Sequence, residues 1–139
     1  MDNITSEIKR RAFWYMSRYA YSTKELKEKL FSKGHKIKEI EEVLALCQEK
    51  GFLQDEELST RRVEIWKKKG YGPFWIERML IQAGLPTHPL SSFREEQVLE
   101  ELLKKPSLKK KKLPQKYQFL QRRGFSPGAI SRALQQEIA

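Results

Sequence analysis

Four consecutive lysines, Lys109 to Lys112, have the plainest chemistry in this chain. Like charges side by side repel one another, and contact with phosphates relieves that repulsion. A solvated lysine run with no ligand is the alternative for such a stretch taken alone. Lys116, Arg122 and Arg123 follow, the two arginines at the end of an expected helix. A second basic group, Lys67, Lys68 and Lys69, ends another expected helix, with Arg61 and Arg62 one to two turns earlier. Cations there also complement the negative end of the helix dipole, so a structural role and a binding role both stay open. Tyr71 follows at a turn and is the aromatic expected to face a partner. Trp14, Trp66 and Trp75 are of a type that stacks on nucleic-acid bases. Aromatics between thin helices are more often core, and core is the role expected of them.

The positive charge is unevenly placed. The chain of 139 residues has a net charge of +10. Residues 104–139 hold ten basic side chains and one acid, Glu137, which leaves residues 1–103 close to neutral. Such asymmetry points to a polyanionic partner, nucleic acid before membrane.

The constellations of an enzyme are missing. His35 follows a helix-stopping glycine, His88 lies between two prolines, and Cys47 is the only cysteine. No zinc-ligand spacing results. Gly70-Tyr71-Gly72-Pro73 has two glycines but no strand ahead of it, so it reads as a turn between helices and not a phosphate cradle. No serine occupies a nucleophile elbow. Glu41, Glu42, Glu56, Glu57, Glu95 and Glu96 read as solvated helix faces. The expectation is a protein without catalytic activity, metal or cofactor.

One cysteine allows no disulfide within the chain, which suits a reducing compartment. No apolar run approaches the roughly 20 residues that span a bilayer. The start, MDNITSEIKRR, lacks the apolar segment of a signal peptide. A cytoplasmic protein with no membrane partner is expected, and a monomer, since nothing calls for an obligate dimer.

Apolar residues recur at helical spacing along the whole chain, with no alternating strand pattern. Helices are expected over about 6–20, a short segment from Ser22, 37–50, 55–69, 73–83, 92–104, a segment from Pro114, and 127–138. Ser22-Thr23-Lys24-Glu25 has the form of a capping box. Asp55 is placed as the cap of its own helix. Residues 85–92, with Pro86 and Pro89, read as a turn or a very short helix. An internal repeat stands out: Leu30-x3-Gly34-x5-Ile40-x3-Leu44 recurs as Leu120-x3-Gly124-x5-Ile130-x3-Leu134, and a weaker copy starts at Leu80-x3-Gly84. Repetition at this period implies stacked modules. The fold class is therefore all-α: three tandem three-helix repeats, at 1–51, 52–91 and 92–139, forming an elongated, crescent-like, right-angled helical array.

These segments resemble the RecX family of recombination regulators. The resemblance is carried by Ser22-Thr23-Lys24-Glu25-Leu26 with Leu30 and Gly34, and by Gly51-Phe52-Leu53-Gln54-Asp55 leading to Lys69-Gly70-Tyr71-Gly72-Pro73, Ile76, Leu80 and Gly84. Tyr117 to Phe125 completes it. It covers the chain from about residue 8 to its end. It implies a regulator, most often an inhibitor, that docks in the groove of the RecA–single-stranded-DNA filament and limits strand exchange, ATP turnover or filament growth. Direct contact with single- or double-stranded DNA is a further expectation. The alternative is a helical-repeat protein that binds nucleic acid independently of RecA.

Overall fold

The computed structural model describes residues 6–138, and among them every regular element is helical. In order these are α1 (Ser6–Arg18), α2 (Thr23–Ser32), α3 (Ile37–Glu49), α4 (Asp55–Lys68) and α5 (Pro73–Gln82). A 3-10 turn (His88–Ser92) leads to α6 (Glu95–Leu103), α7 (Pro106–Lys109), α8 (Leu113–Arg122) and α9 (Pro127–Ile138). The chain divides into two compact units. Unit 1 holds the described residues up to Ser59 together with Gln82–Pro86; unit 2 holds Thr60–Ile81 and the residues from Thr87 onward.

In unit 1, α1, α2 and α3 surround a core of Ile8, Ala12, Leu26, Leu30, Ile40, Val43 and Cys47. Each comes from an i, i+3 or i+4 stripe, so one face of every helix is removed from water. A fully buried leucine such as Leu30 contributes about 2–3 kcal/mol by burial. The capping box at the start of α2 is formed. Ser22 Oγ accepts from the Glu25 N–H at 3.0 Å, and the Ser22 N–H donates to Glu25 Oε1 at 2.8 Å. Ser22 is fully buried, and its hydroxyl also donates to the Ala83 carbonyl.

Asp55 does a different job from the expected one. It is the first residue of α4 and not the one before it, and its Oδ1 accepts from the Thr23 N–H at 2.9 Å, so it satisfies an unpaired amide at the start of α2. A carboxylate there also meets the positive end of the α2 dipole.

Unit 2 has the matching core: Leu99, Leu103 and Leu108, with Leu120, Phe125, Ile130 and Leu134 from α8, α9 and the turn between them. The repeated residues thus play equal parts. Leu30, Ile40 and Leu44 are buried in unit 1, and Leu120, Ile130 and Leu134 in unit 2. The helix-ending glycines match as well, at φ 89° for Gly34 and 96° for Gly124. Glu95 is half-buried and not on a solvated face as expected: it pins the start of α9, accepting from the Ser126 N–H at 2.8 Å and from its hydroxyl at 2.9 Å. The 3-10 turn falls where Pro86 and Pro89 prevent a longer helix. Among the described residues, no helix is long and apolar enough to cross a membrane.

Candidate functional site

Two turns of unit 2 approach closely: the one from α4 to α5 and the one from α8 to α9. The Gly72 N–H donates to the Arg123 carbonyl at 2.7 Å, and the Phe74 N–H to the Gly124 carbonyl at 3.0 Å. The approach is too tight for a side chain: a Cβ on Gly72 would lie 2.5 Å from the Gly124 carbonyl. Gly72 is therefore a packing glycine, in the motif that reads simply as a turn.

Over this contact lies an aromatic and cationic cluster. The Tyr71 ring stacks on Trp75, with centroids 3.7 Å apart and planes 15° from parallel. Trp66 meets Trp75 edge-on at 5.4 Å. The Arg123 guanidinium lies 4.5 Å from the Tyr71 ring centre and 4.9 Å from that of Phe119. Its Nη1 donates to the Lys69 carbonyl at 3.2 Å. Lys111 Nζ stands 5.8 Å from the Phe119 ring. Such ring contacts contribute about 0.5–1 kcal/mol each at exposed sites. They also hold long side chains in place, which lessens the entropy lost when a phosphate is bound.

Of the residues singled out by sequence, the fold thus brings together Lys69, Tyr71, Lys111 and Arg123. Lys67 packs over Phe93 at 5.9 Å. With Lys68 and Lys105 it borders a cleft of about 360 Å³ that also contains Glu64 and Glu101. Arg61 is exposed further back on α4, and Arg62 is half-buried. Lys110, Lys112 and Arg122 are exposed. Lys109 is exposed beside Glu96, Glu100 and Glu137. Glu96 is held below the usual carboxylate range, first by a hydrogen bond from its own backbone and then by Arg132.

Three expectations for the candidate binding residues need correction. Lys116 is not on this surface: it is 7% exposed and bonds Glu137 Oε1 at 2.9 Å. It occupies the buried stripe of α8 one turn before Leu120, and its ammonium is spent on an internal pair. Lys116→Ala is expected to cost about 2–3 kcal/mol in urea denaturation, because the bond to Glu137 and the packed stem are both lost; Lys116→Met loses the bond but keeps the stem, and is expected to cost less. Equal losses would refute the split between charge and packing. Tyr71 is half-buried, with one face on Trp75 and Arg123 against its ring, so it offers an edge and not a free ring. Trp14 is not core but 53% exposed.

Phe119 and Phe74 are not among the residues that the sequence singles out as contacts. Phe119 stands four residues before Arg123, a helical spacing that could have revealed the pair. Phe74 is 59% exposed beside the cluster's backbone contact; it stands two residues before the buried Ile76, about 200° round α5, so the apolar stripe itself turns it outward.

No protein-family model matches the chain, and no curated protein sequence matches it. Solved structures do. RecX from Lactobacillus salivarius superposes with a TM-score of 0.78 at 19% identity, over 94% of this chain and 94% of that one. A structure described as regulatory protein RecX superposes with a TM-score of 0.77 at 17% identity, over 94% of this chain and 72% of that one. The chain has the RecX-like all-helical fold.

Proposed function

We propose that this chain is a RecX-type regulator of the RecA recombinase, acting by binding and not by catalysis. It docks in the groove of the RecA–single-stranded-DNA filament and restrains strand exchange, ATP hydrolysis and filament growth. The observation that carries this reading is the likeness in fold to RecX structures over 94% of the chain. The cluster around Arg123 supports it, because cations held on aromatic faces suit a nucleoprotein groove with exposed phosphates. The same reading makes the protein a cytoplasmic monomer without metal or cofactor.

A second reading, binding to nucleic acid without RecA, is favoured by that same cluster, since phosphates and bases alone could engage it. Titrating the protein into RecA ATPase on single-stranded DNA separates the two. Suppression at amounts at or below those of RecA is the expected result. An unchanged ATPase over a wide range, with binding to bare DNA retained, would leave only the second reading.

A further inference from the structure

We propose that α1 and the C-terminal end of α2 form a second nucleic-acid site, in unit 1, which takes a single-stranded chain by its bases and phosphates. The first helix divides its circumference. Ile8, Ala12 and Tyr15 face the core. Glu7, Arg10, Arg11, Trp14 and Arg18 follow at i, i+3, i+4, i+7 and i+11, which is a single outward stripe. Against that stripe lies a cleft of about 700 Å³, bordered by Glu7, Arg10, Arg11, Trp14, Tyr15 and Lys33. This is within the usual range for a ligand cleft. Three cations meet one carboxylate there, and that carboxylate is only loosely engaged by Arg11, at 3.9 Å. Lys33 ends α2, and Lys29, one turn earlier, holds its Nζ 5.8 Å from the Tyr15 ring.

Trp14 identifies the ligand as a polynucleotide. Its ring is edge-on to Tyr15, with centroids 5.4 Å apart, and the Arg18 guanidinium lies 4.5 Å over its face. An exposed indole among cations offers a π-face to any base, while the arginine that covers it can swing to a phosphate. Arg11 and Arg18 lie two turns apart, about 11 Å along the helix, a span that a short single strand bridges with its bases turned to Trp14. In a duplex the base faces are stacked away, so the site favours single strands. An acidic peptide would use the charges without needing the ring. The near-neutral composition of residues 1–103 conceals this site, because the acids of that stretch lie mostly elsewhere.

The test uses the full chain with Lys109–Lys112 replaced by alanine, so that binding in unit 2 does not mask unit 1, and it involves no RecA. The probes are a labelled oligothymidylate and, as a polyanion without bases, inorganic polyphosphate. Trp14→Ala is expected to weaken oligothymidylate binding about tenfold, to leave polyphosphate binding unchanged, and to be largely rescued by Trp14→Phe. Arg10→Ala with Lys33→Ala should weaken both and lower the salt slope by about one to one and a half. An oligothymidylate carrying iodouracil should photo-crosslink to Trp14 or Tyr15. Parent-like binding by Trp14→Ala, equal losses on both probes, or crosslinks confined to residues 60–138 would each overturn the proposal.

Discussion

Gly72→Ala is expected to destabilise unit 2 by about 3 kcal/mol, although it adds one methyl group. The new Cβ would lie 2.5 Å from the Gly124 carbonyl carbon and oxygen, and those atoms are backbone. No rotamer change relieves such a clash, so the two turns must separate. Separation breaks the bonds from Gly72 to Arg123 and from Phe74 to Gly124, each contributing about 1 kcal/mol. Gly34→Ala is the matched control. Its φ of 89° disfavours alanine, but nothing lies within 4 Å of the new Cβ. That change is expected to cost about 1–2 kcal/mol, the strain of a left-handed residue alone. Urea denaturation of both variants checks the difference. Similar midpoints for the two would mean that the close approach of the turns contributes nothing. Gly72→Ala should also loosen Arg123 from Tyr71, so weaker nucleic-acid binding is expected under conditions where the variant stays folded.

The contrast between those glycines shows what the sequence discloses. Gly34 follows a capped, periodic helix, and its role as a stop depends on residues within one turn of it. The capping box, the buried stripes and the paired repeats are local in the same sense, and each was legible. The meeting of Gly72 with Gly124 was not. It joins segments about fifty residues apart, as does the bond from Arg123 to the Lys69 carbonyl. Nothing in either segment names the other. The role of Asp55 is hidden for the same reason, because its partner Thr23 is 32 residues away.

Elsewhere position overrides residue type. By type Lys116 belongs with the surface cations, yet Lys116 and Leu120 share a stripe at i, i+4, and Leu120 is fully buried. Trp14 is a core residue by type, yet it stands two residues beyond Ala12, about 200° round the helix. Residues 106–109 lie in a helix too short to show a period. Pro106 at its first position and the buried Leu108 were the available signs.

Replacing Lys109, Lys110, Lys111 and Lys112 together by alanine is expected to have the largest effect on binding. The change lowers a net charge of +10 by four. Each single-strand phosphate contacted adds about 0.7 to the salt slope, so full engagement predicts a loss of up to about 3. Affinity for single-stranded DNA should fall about a hundredfold at low salt and much less at high salt. The four need not be equivalent. Lys111 is held over Phe119, the ring that also carries Arg123, while Lys109 lines a separate cleft whose Glu96, Glu100 and Glu137 pair with Arg132, Lys104 and Lys116. Lys111→Ala alone should therefore weaken binding more than Lys109→Ala alone. If the lysines form a solvated run, the fourfold variant will keep the parent slope and the parent effect on RecA ATPase. If affinity falls while the slope stays constant, the loss comes from altered packing near Phe119 and not from phosphates. Binding measured across a salt series decides among these outcomes, because only direct phosphate contact couples the lost charges to the released counterions.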